Sequence, residues 1–294
     1  MLVVTDGAFG SPMVYHLDAG TARVLSAVDL VGAGTTGRTP MAALAFDGAG
    51  HLLGFTPTTD NEFYRIDRGT GQASRGGRLG VSAREGGMAV FADGTIWAAS
   101  TGSPGRLFTI DPSTGRATLG PTMTPTTDIS GLGVRADGLL VGLDLRSVDG
   151  PPSLRAIDTV TGETAVIAAL LPRIELANVG GLEIIEVGGV EMGYFIVAGS
   201  AAGSEAQLWR FDPYTGAQTP VGIISGVEAV TGLAGLACEP CPADLDGDCE
   251  ATIFDFLLLG NWFDVGDLRA DLTGDGVLDV FDYLFFLNIF QAGC

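Results

Sequence analysis

The chain has 294 residues and a net charge of -20, and all 15 of its basic residues are arginine. Nucleic acid and anionic membrane surfaces are therefore poor partners, whereas cations are good ones. Hydrophobic residues make up 46% of the chain, enough for a large core and more than one domain, yet no apolar run reaches the length of a membrane span.

The opening "MLVVTDGAFG" lacks the basic start and long apolar stretch of a signal peptide, so the leader expected of an exported protein is not found in these residues. It reads as a strand. Soon after comes "VYHLDAGT" at 14, a weak copy of a phrase that returns as "FYRIDRGTG" at 63, "LFTIDPSTG" at 107, "LRAIDTVTG" at 154 and "LWRFDPYTG" at 208. Its aspartates, Asp18, Asp67, Asp111, Asp158 and Asp212, recur roughly every 50 residues, a period expected of propeller blades. Each phrase is a strand of alternating pattern, then an Asp and a Thr or Ser able to bond turn amides, then a glycine able to take positive φ before the next strand. A second hairpin precedes it, as in "MAVFADGTIWAAS" and "LGVRADGLLVGLD", so each repeat supplies four strands.

The innermost strands are predicted at Met41 to Phe46, Gly87 to Phe91, Leu132 to Arg135, Gly181 to Ile185 and Thr231 to Ala237. The first repeat begins at its second strand, and "VTGLAGLA" is a first strand with no successors. The two ends therefore share a blade, which removes open sheet edges. The prediction is an all-β, five-bladed β-propeller over residues 1–238, closed by three N-terminal strands plus one C-terminal strand. Along nearly all of that region the repeat resembles the "IDPxTG" propellers of secreted bacterial proteins. Such a fold hosts hydrolases, lectins and scaffolds alike, so a carbohydrate or protein ligand is equally compatible with it.

No chemistry stands out in the propeller sequence. Glu175, Glu183, Glu186 and Asp128 are the less repetitive acids near predicted inner strands or loops, and no spacing pairs them as a glycosidase needs. His16 and His51 both read as strand residues without a metal-ligand neighbour, and "GVEMGYFIVAGSAAG" lacks the strand-turn-helix context of a nucleotide site.

The remaining residues, 239–294, are different: 12 acids stand against Arg269 alone. All four cysteines, Cys238, Cys241, Cys249 and Cys294, lie in or beside this segment, a clustering that points to disulfides and an extracellular or cell-surface location. The segment repeats itself, "ADLDGDCEATIFDFLLLGNWF" from Ala243 matching "ADLTGDGVLDVFDYLFFLNIF" from Ala270. Each copy sets oxygen donors in the order of a twelve-residue calcium loop. In the first these are Asp244, Asp246, Asp248, the carbonyl of Glu250, Thr252 and Asp255. In the second they are Asp271, Thr273, Asp275, the carbonyl of Val277, Asp279 and Asp282. Oxygen donors alone favour Ca2+ over zinc or copper, giving two sites. Gly276 holds the sixth position of the second loop, where positive φ is wanted, but Cys249 replaces it in the first. Behind the loops, Phe256, Leu257, Trp262 and Phe263, with Leu284, Phe285, Leu287 and Phe290, are predicted to face one another across two short helices.

Two such loops, each followed by one helix and ending in Asp, resemble a dockerin, and "CPAD" with the closing "AGC" resembles the GC-type subfamily. The resemblance runs from Cys241 to Cys294. It implies a small α-helical domain with two calcium loop-helix units that docks onto a cohesin-like protein. It also puts Ile253, Phe254, Val280 and Phe281 where dockerins meet their partner, although a core role fits the two phenylalanines equally. Disulfides Cys241–Cys294, tying the ends of the domain, and Cys238–Cys249 are the expected pairing. The resulting expectation is a secreted, monomeric, noncatalytic binding or scaffold protein. The alternative is a dockerin-tethered polysaccharide-degrading enzyme, a glycoside hydrolase or lyase, with its active site in the propeller channel.

Overall fold

The computed structural model describes residues 1–6, 12–32, 41–57, 61–83, 86–100, 105–125, 127–145, 151–170, 179–198, 205–228, 230–237, 241, 243–245 and 251–292. The chain divides into two compact units, Leu2–Leu236 and Ala237–Cys294 with Met1.

The larger unit is a five-bladed propeller of four-stranded antiparallel sheets. Its first blade is composite: β1 (Leu2–Asp6), β2 (Met13–Leu17) and β3 (Val24–Asp29) are completed on the inside by β20 (Val230–Gly235). The second holds β4 (Ala43–Phe46), β5 (Leu52–Phe55), β6 (Glu62–Ile66) and β7 (Ala73–Arg78). The third holds β8 (Met88–Val90), β9 (Ile96–Ser100), β10 (Arg106–Ile110) and β11 (Ala117–Thr122). In the fourth are β12 (Ile129–Val134), β13 (Leu140–Asp144), β14 (Ser153–Ile157) and β15 (Thr164–Ala169). In the fifth are β16 (Val179–Val187), β17 (Val190–Val197), β18 (Ala206–Phe211) and β19 (Gln218–Ile224). The closure expected from the two chain ends is present, with Leu2 opposite Gly235 and Val4 opposite Leu233.

The five shared aspartates form the turn between the third and fourth strands of every blade. Asp67 Oδ1, for example, accepts the amide and the hydroxyl of Thr70, both at 2.9 Å, while the Gly71 amide donates to the Asp67 carbonyl at 2.7 Å. The same main-chain bond recurs from Gly115, Gly162 and Gly216, and from Ala22 in the first blade. These carboxylates are therefore committed to turns.

Apolar side chains fill the seams between blades. One cluster joins the second and third blades, where Phe55 and Phe108 meet edge to face at 6.2 Å. Another joins the fifth to the composite blade through Leu208, Ile196, Leu233 and Leu2. At the axis the inner strands come into backbone contact. A Cβ on Gly87 would lie 2.1 Å from the Leu132 amide nitrogen, and one on Gly131 would lie 2.4 Å from that of Leu182. The space ringed by Leu44, Met88, Leu132, Leu182 and Leu233 has no room for a water-sized sphere. Among the described residues the axis is closed at this level, because Gly87 and Gly131 let neighbouring inner strands meet backbone to backbone.

The smaller unit contains α1 (Ile253–Asp264), a 3-10 turn (Leu268–Ala270) and α2 (Val280–Ala292). Its core is Ala243, Leu259, Ala270 and Phe286, all with no exposed surface, flanked by Phe256, Trp262, Phe263, Tyr283 and Phe290. Aromatic packing dominates, with Phe263 and Tyr283 centroids 4.9 Å apart and Phe256 and Phe286 6.0 Å apart. The expected core is corrected here. Leu257, Leu284, Phe285 and Leu287 are exposed, because both helices are apolar on nearly every face and the inward face is set by Asp255 and Asp282, one turn before Leu259 and Phe286. No described helix is long and apolar enough to cross a membrane.

Candidate functional site

The second loop, Asp271 to Asp282, is described in full. It curls around Asp271, whose Oδ1 accepts the amides of Gly274 at 2.8 Å and Asp275 at 3.2 Å, and whose Oδ2 accepts that of Gly276 at 2.7 Å. Gly274 and Gly276 make this curl possible with φ of 73° and 82°. Asp275 Oδ1 takes the Val277 amide at 2.8 Å. The far end is held by Asp282, fully buried, which accepts the amides of Thr273 at 3.1 Å and Asp279 at 3.0 Å. Burial alone would raise the Asp282 pKa, but these amide bonds outweigh it and the carboxyl is held below its ordinary value. Asp279 Oδ1 accepts the Phe281 amide at 2.8 Å at the start of α2.

The first loop repeats the closure. Asp255 is fully buried and accepts the amides of Leu245 and Thr252, each at 2.7 Å, while Thr252 Oγ1 accepts the Phe254 amide at 3.2 Å. Thr252 and Asp255 form a capping box at the start of α1. The Asp244 amide donates to the Cys241 carbonyl at 3.0 Å. Asp246, Asp248, Cys249 and Glu250 lie outside the described residues, as do Cys238 and Cys294.

The carboxylates of the second loop thus engage its own amides, and among the described residues no three His, Cys, Asp or Glu side chains are gathered as around a metal. The donor set still suits a hard cation in kind and order. Asp271, Asp275, Asp279 and Asp282, with Thr273 and the Val277 carbonyl, are all oxygen donors, and the left-handed glycines bend the loop back over Asp271.

Both loops deliver an apolar pair at the first turn of the following helix. Ile253 and Phe254 are 60% and 62% exposed, and Val280 and Phe281 are both 61% exposed, so neither phenylalanine is core. Leu257 and Leu284 continue the two faces one turn later.

In the propeller, Glu183 is the buried acid nearest the axis. Its Oε1 accepts the Ile184 amide at 2.9 Å and its Oε2 the Gly235 amide at 3.1 Å, and burial drives its pKa up to about 8 against the effect of those bonds. With both oxygens engaged inside a packed seam, it braces the fifth blade against the composite one. Glu186 and Asp128 lie in other places, on a hairpin and beside Asp144, and Glu175 is outside the described residues. His16 is buried with Nδ1 2.6 Å from Ser26 Oγ. His51, expected in a strand, instead sits at the end of a turn with Nδ1 3.0 Å from Asp47 Oδ2. That carboxylate neighbour was not anticipated, because the turn alone brings residues four apart together.

One cluster joining two blades had no signal in the sequence. The Arg135 guanidinium lies 4.1 Å from the Tyr214 ring centroid and pairs with Asp137, while Glu191 accepts the Ala136 amide at 2.5 Å and the Tyr214 hydroxyl. These residues come from turns of the fourth and fifth blades and, for Glu191, from the start of β17, too far apart in the chain for any motif to connect.

No family model matches the chain, and no curated protein matches it. Among solved structures it is similar to TolB from Acinetobacter baumannii, at 16% identity over 76% of this chain and 51% of that one, with a TM-score of 0.44. It is also similar to the PQQ-bound aldose sugar dehydrogenase from Streptomyces coelicolor, at 14% identity over 80% and 84% of the two chains, TM-score 0.47. A third is virginiamycin B lyase from Staphylococcus aureus, at 11% identity over 74% and 68%, TM-score 0.42. The chain spans about half the length of the TolB chain.

Proposed function

We propose that the protein is a secreted, noncatalytic binding or scaffold protein whose C-terminal unit is a dockerin-like module, stapled by two calcium ions and docking onto a cohesin-like partner. The observation that carries this reading is the duplicated presentation of Ile253–Phe254 and Val280–Phe281, exposed at helix starts directly above two equivalent loop closures. Apolar pairs so exposed on a small unit are the expected mark of a protein-binding face.

In the first site Asp244, Asp246, Asp248, Thr252, Asp255 and the Glu250 carbonyl would hold calcium; in the second, Asp271, Thr273, Asp275, Asp279, Asp282 and the Val277 carbonyl. The ion would supply the positive charge that lets these acids share so small a volume. Disulfides Cys241–Cys294 and Cys238–Cys249 complete the proposal and suit an extracellular setting.

Retention of the full chain on an immobilised cohesin-like module, with calcium or with chelator, tests the reading. Retention is expected to need calcium and to be lost in Phe254→Asp/Phe281→Asp. Retention that survives both chelation and the double substitution contradicts it.

A further inference from the structure

We propose that the propeller carries a second docking site, independent of the calcium-loop unit: the cleft between the β8–β9, β12–β13 and β16–β17 turns receives a lysine or arginine side chain of a partner polypeptide. The cleft has a volume of about 520 Å³, within the range of binding pockets. Its floor is apolar, formed by Val90, Phe91, Val134, Ile184 and Ile185, while Asp93, Glu186 and Glu191 stand on its rim.

The charges on that rim are unequal in what they already hold. Arg135, the cation among the lining residues, is committed to Asp137 through Nε at 3.1 Å and to the face of Tyr214. Glu191 is held by the Ala136 amide and the Tyr214 hydroxyl. Glu186 lies directly opposite Glu191 in the β16–β17 ladder, and among the described residues its carboxylate makes no hydrogen bond or ion pair. Like charges directly opposite destabilise a ladder. A cation seated at Glu186 would relieve that repulsion, and its alkyl stem would cover the apolar floor.

The form of the hairpin favours a polypeptide over a free amine. β16 and β17 have nine and eight residues, where the inner pairs of the other blades have strands of three to six. The overhanging tip exposes Val187 and Val190, at 47% and 59%. A small cation in the cleft would leave those valines in water, whereas a segment with a basic side chain between apolar neighbours covers both.

Fluorescence anisotropy on the full chain, in calcium and physiological salt, tests this with labelled acetyl-Leu-Arg-Leu-Arg-Leu-amide, its citrulline counterpart, and N-acetylarginine amide as competitor. Glu186→Lys is expected to weaken the arginine peptide by about tenfold or more, and Glu186→Gln severalfold, with citrulline costing about as much as charge reversal. Asp264→Asn, the same charge change on the other unit, should alter affinity less than about twofold, and Val187→Ser/Val190→Ser should weaken binding while leaving the melting temperature unchanged. Equal affinity for wild type and Glu186→Lys, equal affinity for the citrulline peptide, or no binding up to millimolar concentration overturns the site. N-acetylarginine amide competing as strongly as the peptide overturns the polypeptide partner.

Discussion

Asp255 and Asp282 belong to different loops of the chain yet make the same closure. Each is fully buried, and each accepts the amide three residues before it, from Thr252 at 2.7 Å and from Asp279 at 3.0 Å. Replacing Asp282 by alanine strands two amides, that of Thr273 within the loop and that of Asp279 at the start of α2. A loss of about 1–3 kcal/mol is expected for the unit, with reduced helix signal in circular dichroism. Asp282→Asn, which keeps one acceptor oxygen, should lose less.

Phe281 and Phe286 differ by little more than one helical turn and in everything else. Phe286→Ala empties the centre of the aromatic core and should cost about 3–5 kcal/mol. Phe281→Ser, at an exposed position, should shift stability by no more than about 0.5 kcal/mol. Chemical denaturation followed by tryptophan fluorescence distinguishes the two, and a large loss from Phe281→Ser would place that ring in a packed environment.

Gly71 ends the turn of the second blade with φ of 70°, and a Cβ there would lie 2.1 Å from the Asp29 carbonyl oxygen. The left-handed conformation alone costs a side chain roughly 1–2 kcal/mol, so Gly71→Ala should destabilise the propeller by more than that. Ala22 holds the corresponding place in the first blade at φ of 63°. It is accommodated there because Gly222 faces it across the blade seam and leaves room for its methyl group. Ala22→Gly should therefore be close to neutral, relief of the strained backbone offsetting loss of a buried methyl. Thermal melts of both variants check the contrast.

Two buried groups give the propeller opposite pH responses. Burial raises Glu183 from 4.5 to about 8, so its contribution is fully present below pH 4.5 and is lost as pH rises through about 8. His16 is lowered from 6.5 to about 4, first by burial and then by the charge of Arg68, so its contribution is present above pH 6.5 and is lost as pH falls toward 4. Where the folded and unfolded pKa differ by one, the contribution is about 1.4 kcal/mol at most. Urea denaturation at pH 5, 7 and 9 should show Glu183→Gln flattening the alkaline loss, leaving a profile that falls only on the acid side.

Blade number and closure were readable from the sequence because a hairpin turn has strict residue requirements. Asp67 through Gly71 and its four counterparts reveal the period directly. The sealed axis was also written there, in the small residue before Met88, Leu132, Leu182 and Leu233, but a glycine in a strand has several meanings until its neighbour across the ring is known. The inward faces of α1 and α2 were misread for a different reason. Periodicity selects a face only when polar residues mark the other one, and Ile253 to Phe263 has few. Asp255 held the missing phase: a carboxylate that closes its own loop must point inward, which brings Leu259 inward with it. The Arg135–Tyr214 contact had no such marker.

Calorimetric titration of calcium into the chelator-treated full chain, with helix content followed in parallel, tests the central claim most directly. Two binding events with a gain of helix are expected, one of them removed by Asp271→Ala and the other by Asp244→Ala. The absence of any heat or helix change in excess calcium would contradict the account.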